Sequence, residues 1–131
     1  MIIDSSALIA IVRNEPEQQL FLTAMANAKA IAISASTFLE ARVVAQRSGV
    51  QGLEDDVVNI IQDRSVEIAP FTDLQQQIAA DAHRKFGRGS GHPAKLNFGD
   101  CFAYALAKER GEPLLFKGGD FSKTDIASAV L

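Results

Sequence analysis

Apolar residues along the chain follow two patterns, one typical of buried strands and one of amphipathic helices. Short runs with little polar interruption read MII at the start, AIAIS from Ala30, VEIAPF from Val66 and PLLF from Pro113. Between these runs apolar residues recur every three or four positions, as they do from Leu53 to Ile61. Strands separated by helices imply βαβ units, so the pattern predicts an α/β/α sandwich around a short, mainly parallel sheet.

Turn and capping residues set the expected limits of the helices. Asn14-Glu15-Pro16 ends a first helix that follows Ser5-Ser6, and a second helix runs to about Asn27. Further helices are expected from Ser36-Thr37, from Leu53, from Thr72 to about Phe86, and from Asn97 to Gly111. Residues 127–131 are expected to form a short last strand.

Length and composition are consistent with one domain over residues 1–131. Of the 131 residues, 47% are apolar, enough for a sizeable core. The single cysteine, Cys101, excludes an internal disulfide and a Cys-rich zinc site. The start lacks a basic leader, and no apolar run approaches the ~18 residues of a membrane span, so we expect a soluble, cytoplasmic protein with no membrane partner.

Charge is distributed unevenly between the two parts of the chain. Residues 1–81 hold 5 Lys/Arg and 11 Asp/Glu, whereas residues 82–131 hold 8 and 5. Residues 82–99 contain no carboxylate but several cations and glycines, which predicts a flexible cationic loop suited to a phosphate backbone. Its cations are Arg84, Lys85, Arg88 and Lys95. The alternative is a solvated loop that is basic by chance.

Four carboxylates fall near the carboxyl edge of the predicted sheet, where α/β proteins place their sites. Asp4 follows the first strand, and Glu40 lies in the opening turns of the helix after the second. Asp100 lies in the first turn of the helix before the fourth strand, and Asp120 follows that strand across Gly118-Gly119. The sequence therefore predicts a cluster of acids drawn from distant parts of the chain.

Each acid also has a purely structural interpretation. Asp4 suits a helix cap, while Thr37-x-x-Glu40 and Asn97-x-x-Asp100 both match capping boxes. Asp120 suits an ordinary turn. The weakness of these interpretations is that four are needed together, and that Glu40 and Asp100 lie in predominantly apolar helices.

Gathered carboxylates repel one another unless a cation neutralises them. Oxygen ligands of this kind suit Mg²⁺ or Mn²⁺, and such ions support phosphodiester hydrolysis by activating water and stabilising the leaving oxygen. No Ser-His-Asp or Cys-His pair stands at a convincing site, which favours metal-assisted chemistry over a covalent nucleophile.

These segments together resemble the PIN-domain nucleases, and more closely the VapC-type toxins of bacterial toxin–antitoxin pairs. The resemblance covers essentially the whole chain and rests on IIDSSALIAI, TFLE from Thr37, LNFGDC from Leu96 and LFKGGDF from Leu115. It implies a PIN-like fold and a Mg²⁺- or Mn²⁺-dependent endoribonuclease, with Asp4, Glu40, Asp100 and Asp120 as catalytic metal ligands. It also implies a homodimer and a cognate antitoxin.

The resemblance extends to residues around the acids. Ser6 matches a polar position that orients the first acid or a metal-bound water, and Lys117 is a candidate RNA contact together with Arg84, Lys85 and Arg88. Family members often carry a Thr-Gly-Asn-Asp-like turn, where this chain has Lys117-Gly118-Gly119-Asp120. Asp125 is near enough in sequence to leave open which of the two aspartates is the fourth acid.

Alternatives from other classes remain at this point. A catalytically inactive PIN-like binding module would keep the fold. A phosphoryl-receiver domain would need paired acids after the first strand and an Asp ending the third, whereas Asp4 is followed by two serines and the third strand ends Ala69-Pro70. A haloacid-dehalogenase-type phosphatase would need an Asp where Ser6 stands.

Overall fold

A computed structural model of the protein describes residues 1–130. The described residues form four strands, which are β1 (Ile2–Ile3), β2 (Ala32–Ser34), β3 (Glu67–Ala69) and β4 (Leu114–Leu115). Six α-helices connect them, namely α1 (Ser5–Val12), α2 (Gln18–Asn27), α3 (Ala35–Arg47), α4 (Leu53–Asp63), α5 (Asp73–Phe86) and α6 (Asp100–Arg110). A 3-10 turn covers Phe121–Lys123.

The four strands form one parallel sheet in the order β3-β2-β1-β4. Ile2 pairs with Ala32 of β2 on one side and with Leu114 of β4 on the other. The chain thus adds strands first to one side of β1 and finally to the other, so the crevice at the carboxyl edge opens between β1 and β4. The predicted α/β fold with a short parallel sheet is confirmed.

Strand residues alternate between two cores, one on each face of the sheet. Ile2 and Leu114 belong to the core under α5 and α6. Ile3 and Leu115 belong to the core under α1 to α4. The central strand β1 and its neighbour β4 are apolar at every position because both of their faces are covered, and burial of each such side chain contributes about 1.5–3 kcal/mol.

Two sequence predictions differ from the structure at element limits. The predicted last strand is reduced to an isolated parallel bridge between Leu114 and Ser128 within residues 127–130, and Leu131 lies outside the described residues. The predicted cationic loop begins too early, because α5 continues to Phe86 and buries Ala82 and Phe86 against α6.

The remainder of the cationic segment is anchored rather than free. Ala94 and Leu96 are fully buried. The Leu96 amide donates to the Phe86 carbonyl oxygen, and the Arg88 amide donates to the Leu96 carbonyl oxygen, each over 3.0 Å. The basic segment is therefore anchored at residues 86–88 and at residues 94–96, whereas residues 89–91 between them are exposed. Within residues 1–130, no helix is both long and apolar enough to cross a membrane.

Candidate active site

Asp4 lies at the point where β1 gives way to α1 and is almost completely buried, with 1% of its surface exposed. Its Oδ2 accepts hydrogen bonds from the Ser6 amide at 3.0 Å and the Ser6 hydroxyl at 2.6 Å. The other carboxylate oxygen, Oδ1, is buried without a hydrogen-bond partner. Asp4 is therefore a helix cap, as its structural interpretation predicted, but the cap uses only one of its two oxygens.

Glu40 is directed toward the same edge by α3 and by a contact with Gly99. The Ser5 hydroxyl donates to its Oε1 at 2.6 Å. A β-carbon added to Gly99 would lie 1.6 Å from Glu40 Oε2, so the carboxylate occupies space that a larger residue would fill. The predicted Thr37 capping box is wrong, because α3 begins at Ala35 and is capped by the Ser34 side chain. Glu40 is thus not used as a cap.

Asp100 forms the predicted reciprocal pair with Asn97 at the start of α6. The Asn97 amide donates to Asp100 Oδ2 at 2.9 Å, and the Asp100 amide donates to Asn97 Oδ1 at 2.8 Å. These bonds orient the carboxylate while satisfying two amides near the helix N-terminus.

Of the two candidate aspartates, Asp120 is the one whose charge acts on Asp100, where it adds to a rise in pKa caused mainly by burial. Asp125 instead accepts hydrogen bonds from the Tyr104 hydroxyl and the Lys108 ammonium, each over 2.7 Å. Against the opposing effect of burial, these two bonds hold the pKa of Asp125 below its ordinary value.

The acids shift one another's protonation. Burial raises the pKa of Asp4 to about 7, the Ser6 hydrogen bonds oppose that rise, and the charges of Asp100 and Glu40 add to it. Burial is also the main cause of the raised pKa of Asp100, with a smaller contribution from Glu40 and Asp120. The charges of Asp100 and Glu40 thus reach Asp4, and those of Glu40 and Asp120 reach Asp100, so the four predicted acids lie within electrostatic range of one another in pairs.

A divalent cation fits this group by its chemistry. The donors are carboxylate oxygens, the ligands that Mg²⁺ and Mn²⁺ prefer, and the unpaired Asp4 Oδ1 lacks a partner that such an ion would supply. Within residues 1–130, however, no three His, Cys, Asp or Glu side chains lie close enough to enclose an ion as they stand. Mg²⁺ commonly binds through one or two carboxylates and keeps several waters, so a partial ligand set is sufficient.

The predicted RNA-contacting cations differ in their surroundings. Arg88 lies near Asp100 and lowers its pKa. Arg84 pairs with Asp81 on the exposed side of α5 at 2.6 Å, and the Lys85 ammonium lies 4.9 Å from the Phe86 ring centroid. Of these three cations, Arg88 is therefore the one placed beside the acids.

Lys117 has a structural role that the sequence did not reveal. Its ammonium lies 2.9 Å from a Glu15 oxygen and 3.3 Å from a Glu17 oxygen. Its amide donates to the Ser6 hydroxyl at 3.0 Å, which ties β4 to the residue that orients Asp4. The paired ammonium is less suited to RNA than predicted, while the backbone of Lys117 supports the acid group.

Ser5 and Gly99 are site residues that sequence reasoning missed. Ser5 holds Glu40 and Gly99 makes room for it, although the two are far apart in sequence. The signal for Ser5 was its position directly after a strand-ending acid. Burial raises the pKa of the Cys101 thiol to about 11, which disfavours the thiolate that a nucleophile needs.

We expect Arg88→Ala to weaken RNA binding several-fold at low salt and to reduce the salt slope of log K by about 1. Lys85→Ala, a change of equal charge at a residue packed on Phe86, is expected to have the smaller effect. Fluorescence anisotropy of a labelled RNA from low to moderate salt measures both slopes. Equal slopes for Arg88→Ala and the parent would remove Arg88 from the substrate path.

Comparison with known proteins decides the family. The sequence model of the PIN domain matches residues 1–127. The chain belongs to the PIN-domain family. Ribonuclease VapC28 of Mycobacterium tuberculosis is 42% identical over 130 residues, which cover 99% of this chain and 98% of the relative. The predicted resemblance to VapC-type PIN-domain proteins is thereby confirmed.

Solved structures of two toxin–antitoxin proteins share the fold. VapC20 of M. tuberculosis, described as a toxin that cleaves the sarcin-ricin loop, superposes with a TM-score of 0.79 at 17% identity, over 99% of this chain and 98% of that one. A chain of a toxin–antitoxin complex from Klebsiella pneumoniae has a TM-score of 0.70 at 18% identity, over 98% and 96%. At these identities the likeness establishes the PIN fold alone.

Proposed function

We propose that this PIN-domain protein is a Mg²⁺- or Mn²⁺-dependent endoribonuclease, the toxin of a toxin–antitoxin pair. The observation that carries the proposal is that Asp4, Glu40, Asp100 and Asp120, which come from two helix starts, the second turn of α3 and one turn, act on one another electrostatically, while one buried oxygen of Asp4 has no hydrogen-bond partner. The full-length similarity to a named VapC ribonuclease supports RNA as the substrate.

The chain's own residues would prepare the site for hydrolysis. Ser6 fixes Asp4, Ser5 fixes Glu40 and Asn97 fixes Asp100, so the carboxylates are oriented before RNA arrives. When bound, a divalent ion supplies activation of water and neutralises charge at the phosphate. In the overall hydrolysis the oxygen of water would form the new bond to phosphorus and the bond to the bridging ribose oxygen would break, with the proton released by the water balancing the one taken up by that oxygen.

A protein partner and a second copy of the chain belong to the same proposal. The Klebsiella structure is a toxin–antitoxin complex, which supports a cognate antitoxin for this chain as well. Homodimerisation and a cytoplasmic location are proposed on the resemblance to VapC-type toxins. The exposed apolar residues of α3, which are Leu39, Val43 and Val44, provide a surface for protein contact beside Glu40.

The alternative functions can be separated by the site. A phosphoryl receiver requires an Asp at the end of the third strand, but β3 ends at Ala69 and lies at the edge of the sheet, separated from β1 by β2. An inactive binding module would retain the fold without cleaving RNA, so an RNA-cleavage assay distinguishes it from a nuclease.

We expect purified protein to cut total RNA with Mg²⁺ or Mn²⁺ and to lose that activity in excess EDTA. Because water is the proposed nucleophile, the fragments should carry no 2′,3′-cyclic phosphate, which a contaminating metal-independent ribonuclease would leave. Sequencing of the fragment ends, with and without end repair, measures both the extent of cleavage and the chemistry of the ends. Intact RNA in the presence of either metal would favour the binding module.

A further inference from the structure

An apolar groove of about 610 Å³ opens between α5 and the start of α6. Its lining includes three aromatic rings, a buried thiol and two basic side chains, which belong to Phe71, Phe98, Phe102, Cys101, His83 and Arg84. A groove of this size and lining is typical of sites that accept a flat apolar group.

The exposure of Phe98 is not explained by folding. Its side chain is 77% exposed, which leaves most of an aromatic ring in water. Phe102 packs edge-on against Phe98 at a centroid distance of 4.9 Å and against Phe71 at 5.0 Å. The three rings form a continuous aromatic wall, and an exposed apolar surface of this kind marks a binding surface more often than a lone exposed residue does.

The aromatic wall adjoins the acid group. Phe98 precedes Asp100 by two residues, and Cys101 and Phe102 follow it in the first turn of α6. On the α5 side the groove is bordered by His83 and Arg84, while Arg88 lies near Asp100. Aromatic faces, nearby cations and a hydrolytic acid group therefore occur side by side.

We propose that this groove is a nucleobase subsite, in which an unpaired base beside the cleaved phosphate stacks on the exposed ring of Phe98 and contacts Phe102, whose ring lies at 76° to that of Phe98. The inference rests on the proposed ribonuclease function and adds a requirement for single-stranded RNA at the cut. Bases stack on aromatic side chains in single-stranded recognition, and the flanking cations match the negative charge of the adjoining backbone. A base held in the groove would place its neighbouring phosphate toward Asp100.

Binding to a catalytically silenced protein tests the subsite without cleavage. In the Asp100→Asn background, anisotropy with labelled single-stranded RNA should show a roughly 5- to 100-fold weaker Kd for Phe98→Ala and near-parental binding for Phe98→Tyr. Val50→Ala removes another apolar side chain that is 52% exposed, in the turn before α4, and serves as the matched control. Equal Kd values for Phe98→Ala and Val50→Ala would overturn the proposal.

Cleavage of RNAs that lack one base then locates the stacked position. For each oligonucleotide, a single abasic residue is moved across the mapped cut, and kcat/KM is measured for the otherwise unmutated protein and for Phe98→Ala. We expect one position where the abasic residue slows the parent but has no further effect in Phe98→Ala, because both changes remove the same contact. Effects that multiply at every position would overturn the subsite.

Failure of the subsite and failure of the nuclease proposal give different results. A parent protein that binds RNA through Phe98 but never cleaves it would contradict the nuclease function and leave the stacking contact standing. The Phe98→Ala variant could instead cleave RNA as fast as the parent but fail to hold an antitoxin that the parent binds. That result would assign the groove to protein recognition and overturn the proposal.

Discussion

Asp100→Asn is expected to lower the rate of RNA cleavage by roughly 10²- to 10⁴-fold and to leave the fold intact. The Asp100 charge adds to the rise in the pKa of Asp4 that burial causes, and the charges of Glu40 and Asp120 add to the rise in the pKa of Asp100, so Asp100 is electrostatically coupled to the other three acids. An amide keeps an oxygen that can accept from the Asn97 amide, which preserves the start of α6. The loss should therefore appear in activity rather than in stability.

Asp125→Asn provides the matched control for this prediction. It makes the same chemical change at an acid near the site in sequence, but its carboxylate binds Tyr104 and Lys108. We expect near-parental cleavage from Asp125→Asn, with circular dichroism and thermal melting confirming that both variants fold. If the two variants lost activity equally, the assignment of the acids would be wrong.

The second large effect is a dependence of stability on pH that arises from Asp4. The pKa of Asp4 is about 7 in the folded protein, against an ordinary value of 3.8. Between these values the unfolded chain releases a proton that the folded chain keeps, so the free energy of unfolding falls as pH rises. Above about pH 7 the destabilisation is complete and on the order of a few kcal/mol, and below about pH 4 it is absent.

Asp4→Asn should remove this dependence. The melting temperature of the variant minus that of the parent should increase by several degrees between pH 5 and pH 8 in EDTA. Comparing the difference between variant and parent at the two pH values cancels any pH-independent cost of burying the amide that replaces the Asp4 carboxylate. Such a cost is expected, because a group at the position of Asp4 Oδ1 has no hydrogen-bond partner. Differential scanning calorimetry at each pH measures the effect, and a constant difference would show that Asp4 does not titrate in this range.

Added Mn²⁺ should act on the same residue. The ion should raise the melting temperature of the parent at pH 8, because a ligand that binds only the folded state stabilises it. The rise should be much smaller for Asp4→Asn and unchanged for Asp125→Asn. Equal stabilisation of all three proteins by Mn²⁺ would contradict binding at the acid group, whatever the activity assay shows.

The sequence was sufficient to predict helix caps where the hydrogen bonds that form the cap join residues close along the chain. The Asn97–Asp100 pair and the Asp4 cap were predicted because each involves groups two or three residues apart. The Thr37 box was wrong although its pattern was equally good. Ser34, the last residue of β2, caps α3, so the helix has already begun before Thr37. A local motif does not show which of two candidate residues will be the cap.

Charge alone misplaced the start of the cationic loop, although the helix prediction from Thr72 to about Phe86 was correct. Residues 82–86 belong to the basic segment by composition, yet Ala82 and Phe86 are buried and lie in α5. Similarly, Lys117 had the sequence character of an RNA contact, but Glu15 and Glu17 approach its ammonium from another part of the chain.

What the sequence alone determined was the class of fold and a set of candidate acids, because hydrophobic periodicity and the ends of parallel strands are properties of short segments. Only the tertiary structure paired Asp125 with Tyr104 and Lys108, brought Ser5 and Gly99 to Glu40, and formed the aromatic groove. The physical reason is that hydrogen bonds, charge repulsion and burial act over a few ångströms in space, and sequence separation does not record that distance.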